Sequence, residues 1–324
     1  MIAVVRKPAD SNRLTIDQFD LSTEWIRTSL KGQLVPQGNS RQLLMEGTSR
    51  CDMDRLGLRI GPMMPLELKL TGKHESELKL FASLGQQAVE EFDLSTMIGW
   101  ESGSLAGAVL PSAEIPIQAN LKELKFLGSK IPLGNGWINL SGSIHQHQNE
   151  TWIELNPGAI AEQLEISPAM SKQWLRYIAP LMADATEING LVGLNLNEAK
   201  INLSDPAKTR LRGQLELDTI RLIAGPLTNQ LIQSVQQINS IGKVFSGQPA
   251  SREPSTILKM PKQSINFSVA NQIVAHERLL LDVDRAQVIT NGQVSFDGQM
   301  NLTAMVPLDA RWLGSDLQLS LIHI

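Results

Sequence analysis

Residues 264–307 restrict the possible fold more than any other stretch. From Gly292 to Val306 every even position (Gly292, Val294, Phe296, Gly298, Met300, Leu302, Ala304, Val306) is apolar or Gly, and the odd positions are polar except Met305. A period of two sends alternate side chains to opposite faces, so the stretch reads as strands with one aliphatic and one wet side. Residues paired across an antiparallel turn share a face. That condition predicts Val283 opposite Val288 across the four-residue loop Asp284–Gln287, and Phe296 opposite Met300 across the three-residue loop Asp297–Gln299. A meander of about four strands is expected.

The same alternation recurs through most of the chain. Leu14 and Ile16, then Phe19 and Leu21, are out of phase with each other, which predicts a bulge or turn between the pairs. Leu66-Glu67-Leu68-Lys69-Leu70, a turn over Thr71–Glu75, and Leu78-Lys79-Leu80 predict a hairpin with a charged outer face. Residues 85–111 are less regular and Gly-rich, and Gln86–Phe92 fits either helix or strand. From Ile115 the alternation returns through Ile117, Ala119 and Leu121, and later through Ile138, Leu140 and Trp152–Leu155. Gly134-Asn135-Gly136 and Asn156-Pro157-Gly158 supply turns. Two helices interrupt the pattern. Ser167 can cap one, with Pro168 in the first turn and Pro180 kinking or ending it between Ile178 and Met182. The other, Pro226 to about Phe245, stacks Leu227, Leu231, Val235, Ile238, Ile241 and Phe245 on one stripe, fitter for packing on a sheet than for lying on a membrane because its polar face is amide-rich. Gly247–Pro254 reads as a linker or long loop.

Composition excludes several function classes. With 29 basic and 33 acidic residues, a net charge of −4 and no basic run, nucleic acid is not an expected partner. Cys51 is the only cysteine, so neither an intrachain disulfide nor a thiolate cluster can form. No segment offers about 18 uninterrupted apolar residues for a spanning helix, and Met1–Val5 is too short for a signal-peptide core before Arg6-Lys7-Pro8; Met1 is read as an internal codon of a longer frame. His145-x-His147 would project both rings to one face, as two metal ligands would, but no third ligand lies nearby and exposed histidines are expected. Glu90-Glu91 and Asp282 with Asp284 could suggest acid–base pairs, yet the two aspartates are out of phase with Leu281 and Val283 and should face water. Phosphate loops, nucleophile elbows and zinc-helix motifs are lacking. Neither catalytic residues, a metal nor a cofactor is assigned.

Short strands rising into Gly292-x-Val294-x-Phe296, then Met300-x-Leu302-x-Ala304 and Val306-Pro307-Leu308, resemble the C-terminal region of AsmA-like proteins of diderm bacteria, relatives of TamB and YhdP. Trp174–Ala183 followed by Thr186–Gly190, and Arg210–Leu217, add to the likeness, which is best over residues 165–312. The resemblance implies a mainly β fold in which a long curved antiparallel sheet forms an open, taco-like groove with about two helices at it. Residues 1–164 would be the N-terminal part of that groove and residues 165–316 the AsmA-like C-terminal region, with helices near 168–182 and 226–245. Leu319–Ile324 resembles translated sequencing adapter, so residues 317–324 are read as a non-native tail, the alternative being a genuine short strand. The implied function is non-enzymatic: binding or transfer of phospholipid acyl chains in the envelope, by a periplasmic protein anchored in the inner membrane through a segment this chain lacks, serving the inner or outer membrane. The expected groove lining is Val283, Val288, Val294, Phe296, Met300 and Leu302. The alternating pattern equally permits a closed β-sandwich, structural or adhesive, whose own side chains fill the interior.

Overall fold

A computed structural model describes residues 1–6, 12–61, 67–246, 257–283, 286–306 and 320–323. The chain is mainly β, as the alternation predicts, and 21 strands join one antiparallel sheet. Its main ladder runs from Ile2–Arg6 and Leu14–Ser22 through Ile26–Gln37, Ser40–Asp52, Lys73–Leu84, Val89–Trp100, Ala113–Asn120, Glu123–Phe126, Gly142–His147 and Glu150–Leu155. It continues into the two longest strands, Glu187–Asn202 and Arg210–Ile223, and then into Gln263–Ala270, Ile273–Val283, Ala286–Ser295 and Met300–Val306. Residues 320–323 of the segment read as a non-native tail add a strand beside Thr303–Val306; residues 247–254 of the expected linker lie outside the described residues.

The bulge predicted between Ile16 and Phe19 is present: Ile16 pairs with Gly32 and Phe19 with Leu30, so one extra residue is absorbed and the apolar phase survives. A second bulge lies between His276 and Leu279, where Arg278 takes φ 55° and its amide donates to Asn291 Oδ1 at 2.8 Å. It places His276 on the same face as Leu279, Leu281 and Val283.

Register differs from expectation at both meander turns, each time by two residues. Val283 pairs with Ala286, leaving Leu281 opposite Val288, and Val294 rather than Phe296 faces Met300. Parity fixes register only modulo two, so every side chain keeps its expected face. The second turn is longer because Ser295 brackets it: its backbone N–H donates to Gln299 O at 2.9 Å and its Oγ accepts the Gln299 amide at 3.0 Å, while Gly298 supplies φ 91°.

The expected hairpin over residues 66–80 does not form. Leu68–Thr71 instead pairs with Ser102–Leu105, which also pairs with Ala108–Leu110, in a separate three-stranded sheet, while Lys73–Leu84 joins the main ladder. The switch occurs at Gly72, whose φ of 102° few other residues adopt and whose carbonyl accepts Met53 N–H at 2.9 Å. Alternation identifies a strand but not its partner. The ambiguous Gln86–Phe92 piece resolves into strand from Val89 onward.

The capped helical segment is broken: Pro168–Met170 is α-helical, Ser171–Leu175 forms a π turn, Arg176–Ile178 returns to α, and Pro180–Asp184 starts anew after Ala179 at φ −133° and ψ 71°. Ser167 Oγ accepts the Met170 amide at 3.1 Å and donates to the Gly107 carbonyl at 3.0 Å. Ser167→Ala should cost about 1 kcal/mol in chemical denaturation, with Ser167→Asp recovering part of it; equal stability of all three would mean the cap contributes nothing. The long helix is Pro226–Ser246, and its buried Leu231, Ile232 and Val235 face the core. A further helix, Met53–Ile60, went unpredicted although its signals were present: Asp52 caps it by accepting the Arg55 amide at 3.2 Å, Asp54 stands in the first turn and Arg59 in the last.

Candidate apolar binding site

Strand pairing carries apolar residues across the sheet in a continuous row. Ile16 pairs with Gly32, Gly32 with Met45, Met45 with Leu80, Leu80 with Leu94, and Leu94 with Ala119. Ala119 leads through Leu124, Ile144 and Ile153 to Ile201. Beyond the long strands another row runs Leu211, Val269, Val274, Val294, Met300. The face opposite the first row is mostly polar, with Leu44 and Phe81 as apolar exceptions. There Lys31, Glu46, Lys79, Ser95, Gln118 and Lys125 pair in succession, and a depression of about 1080 Å³ includes them with Asp17 and Asp93. Its charges alternate in sign, so it selects neither anions nor cations.

The two halves of the apolar face differ in cover. Around Arg210–Ile223, Gln263–Ala270 and Ile273–Val283 it is closed over: Leu215, Ile220, Ile265, Leu279 and Leu281 are fully buried with Leu175, Met182, Leu231 and Val235 of the helices in one core. The first strands have only a small cluster, Leu30, Met45 and Leu78, flanked by half-exposed Ile16, Phe19, Leu43, Leu80 and Leu94. This more open half belongs to residues 1–164, the expected N-terminal part of the groove, but none of its side chains is among the expected lining, although the alternation that builds it is legible in the sequence.

Between the halves lies a cavity of about 620 Å³. Its floor is the sheet face, including Leu164, Val192, Leu196 and Phe267; Met170, Trp174, Tyr177 and Ile178 of the broken helix roof it. The π turn adds a residue just where Trp174 enters the wall, and such turns recur at functional sites. The walls are almost wholly apolar. Asn202 and Thr209 are the polar exceptions, and both are occupied: the Asn202 side chain donates to Glu150 at 2.8 Å and accepts the amides of Ser204 and Asp205, while Thr209 Oγ1 accepts the Asn202 amide at 3.2 Å. Hydrogen bonds from Lys208 and then Asn202 hold the Glu150 carboxyl below its ordinary pKa.

The half-exposed wall residues, among them Leu203, Leu211, Tyr177 and Phe296, mark where the cavity opens. Tyr177 meets Phe296 edge-on at 5.6 Å, and Arg176 lies over the Tyr177 ring at 4.6 Å. Of the expected lining, Phe296 stands on the cavity wall and Met300 is 39 % exposed. Val283, Val288, Val294 and Leu302 share that face but are buried to 5 % exposure or less, and the Arg176–Ile178 turn packs on Ile273–Val283 and Ala286–Ser295.

Other candidate groups do not converge. Glu90 and Glu91 are exposed, Asp282 is half-buried with Gln287 Nε2 at 3.4 Å, and Asp284 lies outside the described residues. His145 and His147 lie on the polar face, His145 3.9 Å from Glu154, and among the described residues no three metal-ligating side chains cluster. No helix among the described residues is long and apolar enough to cross a membrane. No family model, curated protein or solved structure matches the chain.

Proposed function

We propose that the chain is part of a non-enzymatic lipid-binding protein of the bacterial envelope, AsmA-like in kind, that carries phospholipid acyl chains on its apolar sheet face. The observation that carries this reading is the row from Ile16 to Ile201: ten directly paired positions, none of them polar, on a face whose first strands are only partly covered. Binding is by desolvation. Each methylene that leaves water for the trough contributes roughly 0.8 kcal/mol, and head groups stay in solvent. Phe296 and Met300 extend the lining at the far end, with Val283, Val288, Val294 and Leu302 as the floor beneath the cover. The full-length protein is proposed to be periplasmic, held at the inner membrane by a segment outside this sequence.

Protein purified from a membrane-containing extract is expected to retain phospholipid in native mass spectrometry. Leu80→Glu and Met300→Glu should release it while circular dichroism stays unchanged, because Leu80 is only partly buried and Met300 is 39 % exposed. Equal loading of wild type and both variants would sink the trough. One observation favours a structural or adhesive β-module instead, namely the complete burial of Val288 and Leu281. Lipid-free protein from the same extract is the result that reading expects.

A further inference from the structure

The cavity beneath the broken helix differs from the open trough in being roofed, and one cation, Arg176, stacks on its wall residue Tyr177. Trp174 and Tyr177 in the roof, Ala161 and Leu211 in the walls and Phe296 at the rim bound a space within the range of small-ligand pockets. Arg176 is exposed, stacks over Tyr177 and donates to its hydroxyl; among the described residues it has no carboxylate within ion-pair distance. The nearby Lys208, by contrast, is paired with Glu150 and Asp205. An apolar space beside a guanidinium with no carboxylate partner among the described residues is complementary to a molecule with a hydrocarbon tail and an anionic head.

We infer that this cavity is a seat for a single acyl tail whose anionic head group is met by Arg176. The inference rests on the acyl-chain reading above and narrows it: the trough would hold tails without regard to head charge, whereas this seat selects anionic amphiphiles. The tail would come from a free fatty acid or from one chain of an anionic phospholipid, and the head group chemistry is shared.

Trp174 reports on occupancy. Palmitate brominated along its chain should quench the protein's fluorescence, and Trp174→Phe should remove most of that quenching because the reporter lining the cavity is gone. Arg176→Gln should weaken palmitate roughly tenfold, the loss of one charge-assisted contact, and leave hexadecanol unchanged. Filling the space with Ala161→Phe should abolish quenching; Leu211→Trp at the half-exposed rim does the same job if the first variant does not fold. Brominated phosphatidylglycerol separates the sources, since quenching by palmitate alone assigns the seat to free fatty acid and quenching by both assigns it to acyl tails generally. Quenching that survives in both Trp174→Phe and the filled variants overturns the seat but leaves trough binding standing. Equal loss of palmitate and hexadecanol in Arg176→Gln overturns the head-group assignment. Absence of binding by every acyl probe overturns this inference and the acyl-chain reading together.

Discussion

Between pH 7 and about pH 4 the protein should lose about 3 kcal/mol of stability that a His276→Leu variant retains. His276 is 2 % exposed, and among the described residues neither Nδ1 nor Nε2 has a hydrogen-bond partner. Its strand neighbours are Phe267 and Gly292, and a Cβ at Gly292 would come within 2.9 Å of the imidazole and 2.2 Å of Leu302, so the ring is pressed into an apolar layer that only glycine leaves room for. Burial pushes its pKa down from 6.5 to about 4. The unfolded chain therefore takes up a proton near pH 6.5 that the folded chain refuses until about pH 4. Above the first value the site is neutral in both states and stability is flat; between the two values stability falls; below the second it levels off. Urea unfolding at several pH values measures the difference between wild type and variant, which cancels the carboxylates common to both. Parallel curves would show that the imidazole is hydrated or paired in solution.

His276 also shows where sequence reading stopped. In Ala275-His276-Glu277-Arg278-Leu279 the period of two breaks, and the bulge at Arg278 that restores it depends on a left-handed backbone at a residue with no preference for one. The break at Ile16 and Phe19 was legible because apolar residues stand on both sides of it. At His276 one side of the break is a polar ring, which reads as surface until the register is known. The helix capped by Ser167 was legible because capping is local chemistry. The partner of Leu68–Thr71 was not, since Ser102–Leu105 lies far along the chain and no local rule names it. The candidate site divides in the same way. Alternation identified the shared face of Val283, Val294 and Leu302 correctly. It could not tell which part of that face the helices cover, because cover comes from residues 168–184 and from Leu231, Ile232 and Val235 of the long helix packing into the same core.

That division makes the largest expected contrast between two leucines on one face. Leu215 is fully buried between sheet and helices, and Leu215→Ala should cost 2–5 kcal/mol, the removed methylenes plus the cavity a packed interior cannot close. Leu80 has the same alternation and the same kind of strand neighbours, Met45 and Leu94, but it is only partly buried, against the small cluster of the open half. Leu80→Ala should cost about 1 kcal/mol or less, because water already reaches the site and little is left unfilled. The order reverses for lipid loading: Leu80→Ala should lower the retained phospholipid, whereas Leu215→Ala, measured at a temperature where it is folded, should not. Denaturant midpoints and native mass spectra on the two variants decide it. If Leu80→Ala is as costly as Leu215→Ala, the first strands are covered in solution as well, and the face is core from end to end. If stability separates the two but loading does not, the open half is an apolar surface that something other than an acyl chain covers. A trough needs both orderings at once, since the same lack of cover that makes Leu80 cheap to truncate is what leaves it free to touch a ligand.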